Sequence, residues 1–446
     1  MVLLMNVDVD SANAKRSRAG TLSNLAIYLT IFIDITGFGL IIPLTPFYVA
    51  SFNYGAFAIG ILIGSFALMQ FIFSPLLGKV SDRVGRRPIL LLSIFVSFIS
   101  FLIFSFAVSY AMLLTSRIIS GMATEYSMAQ AYIADTTSPK ERGVKYGRLG
   151  SMFGAGFIVG PAIGGFLYQY GDLMVGNGFL MAGLGATLLT LVNLLFVFIF
   201  LPETLQKPNQ DGKDVSLSEN NRLRGVLKEP KKQVKNYFGD FFDALKKPLI
   251  GAVLFVFFID SLAFSAIPVI IPLLGEAFFT IGPTDLGIVF TYLGIISIVW
   301  QGLIIGRLIN RLGDGILLIM GPSLMMLGLF LMPLIQDLAF FMVTITMISI
   351  GNGTNNTVVP AFISRRSSPM EQGKMLGIGQ SWSAIGRVPG PLIAGALFDL
   401  SILAPFFLSS GLLFFASSLA IHTCRRDKCI SKEQLLTIPT EAANVK

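Results

Sequence analysis

Cysteine, histidine and charge are all scarce in this chain, and each scarcity removes a class of function. Only Cys424 and Cys429 are present, both near the C-terminus, so no disulfide framework can be built. The cysteines lie in what reads as a polar tail, and the single histidine, His422, sits beside them. That excludes a His-based metal site and a Ser-His-Asp triad within the apolar body. Charged residues make up 13% of the 446 and apolar residues 54%. Soluble domains carry about 25% charge, so this balance belongs to a chain solvated by lipid. No metal, no cofactor and no enzymatic chemistry is expected. The 45 glycines and 39 phenylalanines suit packed membrane helices, where glycine lets backbones approach.

A helix that crosses a bilayer needs about 20 mostly apolar residues. Twelve segments qualify: 24–50, 56–78, 88–108, 110–134, 145–170, 177–201, 248–275, 284–308, 315–335, 338–362, 374–399 and 403–423. They are numbered here as spans 1 to 12. Lys15, Arg16 and Arg18 precede the first, no small-residue cleavage site follows them, and the stretch is long enough to span, so it reads as a retained helix. The expected organisation is a tail (1–23), a six-helix bundle (24–201), a linker (202–247), a second bundle (248–423) and a tail (424–446). The linker holds ten Lys/Arg and seven Asp/Glu, and its end, Tyr237 to Lys247, has the pattern of an amphipathic helix lying on the membrane.

A formal charge of +8 would suit a nucleic-acid partner, but its distribution rejects one. With twelve spans, every Lys and Arg except Arg117 and Arg387 falls on one side of the membrane or at helix ends facing it. Cytoplasmic loops are enriched in these residues, so both termini are expected in the cytoplasm.

The chain repeats itself. Gly78 to Leu90 (GKVSDRVGRRPIL) matches Gly306 to Leu318 (GRLINRLGDGILL), 228 positions on. Thr136 to Gly143 matches Arg366 to Gly373, and Gly156 to Leu167 matches Gly386 to Leu397, both at 230. FID recurs at Phe32–Asp34 and Phe258–Asp260. Near-constant offsets mean a duplicated six-helix unit, and parallel repeats of this kind place a binding site between the halves near the midplane.

Charge inside a membrane costs about 2.5–3.5 kcal/mol per group on insertion scales, so each instance is a functional candidate. Asp34, ten residues past Asn24, lies about 15 Å deep. Glu125 lies at a similar level on span 4, with Arg117 eight residues before it on the same face. Asp260 and Arg387 sit about twelve residues into spans 7 and 11. Two readings stand. In one, these are structural ion pairs: Asp34 or Glu125 with Arg117, and Asp260 with Arg387. In the other, a carboxylate binds and releases a proton, held ionised by an arginine until substrate or a conformational change weakens the pairing. Asp34 is the first choice for that role.

Between spans 2 and 3, Gly78 and Gly85 permit tight turns, and Asp82, Arg83, Arg86 and Arg87 crowd charge. The arginines suit a positive-inside anchor; Asp82 asks for a partner such as a helix N-terminus and would serve as a conformational latch. In span 5, Gly156, Gly160, Pro161, Gly164 and Gly165 imply a closely packed helix. Asn352, Asn355 and Asn356 in span 10, with Tyr126, Gln130 and Trp382, are candidate substrate contacts; packing is the alternative for each.

These strings resemble the major facilitator superfamily. GKVSDRVGRRP matches its G-x-x-x-D-R-x-G-R-R signature, with a second copy in which Asn310 replaces Asp82 and Asp314–Gly315 replace the arginine pair. Arg117 with Gly121 resembles the span 4 motif implicated in proton transfer, and GFIVGPAIGG the span 5 motif of antiporters. Asp34 to Pro46 is similar to the opening of tetracycline/proton antiporters. Glu125 is not part of the span 4 motif. The resemblance implies an all-α membrane protein: twelve transmembrane helices in two pseudo-symmetric six-helix bundles, acting as a monomer in the lipid bilayer of a prokaryotic cell. It implies proton-coupled export of small amphiphilic compounds. The charged cavity residues and the asparagine run keep open an uptake carrier for a polar metabolite, whereas nothing in the residues supports a receptor or an enzyme.

Overall fold

The structure of the chain, a computed structural model, describes residues 25–137, 142–203, 243–367 and 372–426. Eight of its helices are long and apolar enough to cross a membrane. One of these, Pro283–Leu331, is two crossings, because Gly313 turns the chain with φ 80° and ψ 163°. Spans 1, 4 and 11 add three more, each broken in mid-membrane, and the total is the expected twelve.

The breaks have local causes. Span 1 runs Leu25–Ile41 and resumes at Thr45–Ala50. Pro43 and Pro46 lie at the interruption, where a proline ring clashes with the preceding helical turn. Span 11 is Gln372–Gly386 and Pro389–Leu400, and span 7 is Pro248–Ser265 and Ile267–Phe279, each second piece with a proline, Pro389 or Pro268, in its first turn. Span 4 divides into Tyr110–Met122 and Glu125–Thr136 with no proline to announce it. Spans 2, 3, 5, 6, 10 and 12 are Ala56–Val84, Arg86–Ser105, Arg142–Val175, Gly178–Phe200, Leu338–Arg365 and Ala404–Arg426. Span 8 passes through a π-helical turn, Trp300–Ile304.

One expectation is corrected: Cys424 belongs to span 12 rather than to a tail and is fully buried, its Sγ donating to the Gly315 carbonyl at 3.4 Å. The amphipathic segment 237–247 lies outside the described residues except for a helical turn at 243–246.

The halves meet along two seams that are copies of each other. An added Cβ at Gly287 would stand 2.6 Å from the Pro161 carbonyl, and one at Gly165 would stand 2.9 Å from that of Thr284. In the equivalent positions Gly60 abuts the Pro391 carbonyl and Gly395 that of Ala56. Spans 5 and 8, and spans 11 and 2, thus approach backbone to backbone, as glycine alone allows. Both seams lie away from the basic side. Towards the basic side, an added Cβ at Gly78, Gly147, Gly150, Gly306 or Gly377 would meet nothing within 4 Å. The buried apolar residues follow the same division. One cluster joins both halves, and a second (Ile27, Ile31, Ile89, Ile133, Leu149, Val197) belongs to the first half alone. The halves therefore close on one side and part on the basic side.

Candidate functional site

Asp34 is half-buried on span 1, within electrostatic reach of Glu125. Glu125 opens the second piece of span 4, is 5% exposed, and accepts a 2.7 Å hydrogen bond from the Ser97 hydroxyl of span 3. The second half carries a variant of the pair. Asp260 and Asn355 stand 226 and 230 positions further on, and Asn355 Nδ2 donates to Asp260 Oδ1 at 2.7 Å. Where the first half sets two carboxyls together, the second sets a carboxyl against an amide.

The expected ion pairs do not form. Among the described residues neither Arg117 nor Arg387 has a carboxylate within the 4.0 Å of a salt bridge. Arg117 and Glu125 do not share one continuous helix face, because the break at Ala123–Thr124 separates them. Arg117 is buried, its guanidinium carbon 5.1 Å from the centre of the Phe104 ring, with Nε and Nη2 unpartnered. Asp260 is 1% exposed, with Oδ1 bonded to Asn355 and Oδ2 buried without a partner, and it does not reach Arg387, which is exposed at the break of span 11.

The loop between spans 2 and 3 is a dense network within the first half. Gly85 takes φ 115°, a conformation that side chains disfavour. Arg86 binds Asp82 at 2.6 Å, Asp135 at 2.7 Å and the Ser81 hydroxyl at 2.6 Å. Asp82 therefore pairs with its own loop and not with a helix N-terminus. Glu203 takes that part, accepting from the backbone N–H of Arg86 at 3.1 Å and of Arg87 at 3.2 Å, where a carboxylate suits the helix dipole. Arg87 Nη2 donates to the Phe198 carbonyl at 2.5 Å, and Arg83 is exposed. The second copy of the loop is not merely decayed, since Asp314 pairs with Arg366 at 3.1 Å and Arg365 at 3.5 Å.

The span 5 glycines serve close packing, as the sequence suggested. Gly156, Gly160 and Gly164 lie against the carbonyls of Phe32, Thr36 and Leu40 on span 1, one turn apart; the Pro161 ring also meets span 1, at Gly39, while its carbonyl and Gly165 face span 8. These contacts fix the orientation of span 1 and leave Asp34 on the side turned away from span 5. Of the proposed substrate contacts, Asn355 is fully buried and bonded to Asp260, so it is structural. Asn356 is exposed and donates to Asn352 at 3.1 Å. Tyr126 packs edge-on against Phe153, ring centres 5.5 Å apart, and interacts with the exposed Gln130. Trp382 packs edge-on to Phe258 at 6.0 Å.

Sequence reasoning missed Ser97, Asp135, Glu203, Arg365 and the π-helical turn. The repeat offsets held a signal for two of them: Arg86 and Asp135 align with Asp314 and Arg365. The π-turn places Trp300 and Gln301 against Gly353 of span 10, with Trp300 Nε1 donating to Thr354 Oγ1 at 2.9 Å. Such turns often mark functional sites.

The sequence matches the Major Facilitator Superfamily over residues 27–301 and again over 253–428. It is 27% identical over 385 residues to multidrug resistance protein 2 of Bacillus subtilis (strain 168), covering 85% of this chain and 89% of that one. It is 30% identical over 381 residues to the class D tetracycline resistance protein of Salmonella ordonez, covering 84% and 89%. The fold is similar to that of a human organic anion transporter, with TM-score 0.63 at 24% identity over 90% of this chain and 99% of that one. It is also similar to a bacterial homologue of the human lysosomal transporter Spinster in an inward-facing, occupied conformation, with TM-score 0.71 at 14% identity over 90% and 96%. The chain belongs to the major facilitator superfamily and is a multi-pass membrane transporter of its drug:proton antiporter group.

Proposed function

We propose that this transporter exports small amphiphilic compounds from the cytoplasm in exchange for protons, by alternating access, as a monomer in a prokaryotic cell membrane. The carrying observation is the pair of membrane carboxyls Asp34 and Glu125 on spans 1 and 4, within electrostatic reach of each other and, among the described residues, with no arginine in a salt bridge to either. Two carboxylates within such reach disfavour double ionisation, so the pair suits the uptake and release of one proton. Substrate entering between the halves would compete with that proton. The relatives named for multidrug and tetracycline resistance support the same reading.

The basic side, towards which the halves part, would face the cytoplasm, as would both termini. Rocking about the two glycine seams would expose the site to the other side. Asp82, Arg83, Arg86 and Arg87, with Gly78 and Gly85 shaping the turn, would latch the alternate state.

The exposed amide pair Asn352–Asn356 favours a second reading, uptake of a polar metabolite. Transport of fluorescent amphiphiles and of sugars in proteoliposomes, under proton gradients of either direction, separates the two. Export of amphiphiles abolished by a protonophore supports the first; gradient-independent equilibration of a sugar would replace it.

A further inference from the structure

The charges that face the space between the halves are segregated. The first half presents the Asp34–Glu125 cluster, and the second presents Arg387. Asp260, the carboxylate expected to neutralise Arg387, is 1% exposed and bonded to Asn355. Among the described residues Arg387 has no ion-pair partner and no side-chain hydrogen bond.

Its direction follows from its neighbours. Gly386 packs on the Phe258 carbonyl and Gly390 on Leu262, while the hydroxyls of Ser383 and Ser261 lie 2.7 Å apart, so this face of span 11 lies on span 7. Val388 and Leu392 contact Gly64 of span 2, on the other side. Arg387 is the turn residue between Gly386, which packs on span 7, and Val388, which contacts span 2; Gln380 lies nearer the basic side on the first piece of span 11. Both are exposed. Span 7 belongs to the second half and span 2 to the first, so the sector between them opens on the space between the halves. Arg387 is thus enclosed by protein yet open to that space.

An unneutralised charge at membrane depth is expensive, and it persists where it lines a water-filled path or receives a ligand. The guanidinium fork matches a carboxylate with two parallel hydrogen bonds, in a setting where water competes poorly. On the first half, Phe38 and Phe66 stack at 5.0 Å, Phe38 one turn from Asp34, and give an amphiphile an aromatic wall. We propose that Arg387 anchors a carboxylate on the transported amphiphile, which would make the substrates of this carrier amphiphilic organic anions. The proposal rests on the space between the halves being a substrate cavity, and it is independent of proton coupling. An anion leaving an inside-negative cell would also be driven by the membrane potential.

The test uses full-length protein in nanodiscs at fixed pH, with three naphthalene derivatives that differ only in carrying a carboxylate, a carboxamide or a quaternary ammonium. Quenching of Trp300 and Trp382, the two tryptophans of the chain, reports binding. The parent should bind the carboxylate about tenfold or more above the carboxamide, as a charge-assisted pair provides. Arg387→Gln should abolish that preference while keeping carboxamide affinity within about twofold, and Arg387→Lys should keep part of it. A parent that prefers the ammonium or does not discriminate would overturn the proposal, as would an Arg387→Gln variant that weakens all three alike or leaves the preference intact. The parent's own preference stands even if a variant fails to fold. Loss of proton-driven export with the carboxylate preference retained would sink the coupling scheme alone.

Discussion

Arg86 and Asp314 occupy equivalent places in the two halves, 228 positions apart, and carry opposite charges. Each stands at the start of one span and finds its counter-ion at the end of the next, Asp135 at 2.7 Å and Arg365 at 3.5 Å, positions that are themselves equivalent. The ion pair has survived duplication with its polarity reversed. Gly85 and Gly313, both at positive φ, bring each pair into reach. Asp314→Arg would set three guanidiniums together with Arg365 and Arg366. It should lower thermal stability and transport, and adding Arg365→Asp should restore most of both. A double variant no better than the single would show that the pairing itself is unimportant.

Asp82 should act on conformational change rather than on binding. Its side chain is 59% exposed and touches Arg86 of its own loop, on the side where the halves part. A role elsewhere in the cycle follows, when that side closes. Asp82→Asn should cut turnover strongly while leaving substrate affinity within a few-fold. A large loss of affinity at normal turnover would place Asp82 in a binding site and end the latch idea.

Asp399 holds the closed side. Its two carboxylate oxygens accept from the backbone N–H groups of Ala56 at 2.8 Å and Phe57 at 2.9 Å, so the end of span 11 caps the start of span 2 across the halves. Charge-assisted bonds at a helix N-terminus favour this arrangement, and they must break for the side to open. Asp399→Ala should raise the labelling rate of a cysteine placed at Leu392, in a Cys429→Ser background, by about tenfold. Asp399→Asn should fall between the two. Unchanged labelling would show that the glycine seams hold that side without the cap.

Much of this was legible in the sequence, and what was not has a common physical reason. Apolar runs of bilayer length are a one-dimensional signal, so the twelve spans and the duplication could be read directly. Partners of buried charges depend on angular register, which a span broken without proline does not reveal. A continuous span 4 would set Arg117 on one face with Glu125 and offer it to Asp34 or Glu125, but the interruption at Ala123–Thr124 separates the two and Glu125 bonds to Ser97 instead. Asp260 was assigned to Arg387 because both lie at mid-depth, although Asn355, the counterpart of Glu125, was its nearer donor. Asp399 and Glu203 went unnoticed because capping carboxylates at helix ends look like ordinary loop charge.

We propose Asp34 as the proton site, with Glu125 as its partner rather than its rival. Asp34 is half-buried at mid-depth, on the side of span 1 turned away from the Phe32, Thr36 and Leu40 carbonyls that Gly156, Gly160 and Gly164 hold against span 5. Glu125 is more deeply buried, 5% exposed, and already bonded to Ser97, so it is the less accessible of the two. The half-buried member is the one that water and substrate can reach, and the other would tune it by charge. Asp34→Asn should therefore fold, keep binding substrate and lose its response to a pH gradient. Glu125→Gln should keep a response but shift the pH at which it occurs, since one charge has left the pair. Arg117 touches neither carboxylate, so Arg117→Lys should impair packing against Phe104 more than coupling. The measurement is proton release on substrate addition to detergent-solubilised protein across a pH series. Release from Asp34→Asn like that of the parent, together with none from Glu125→Gln, would transfer the proton to span 4.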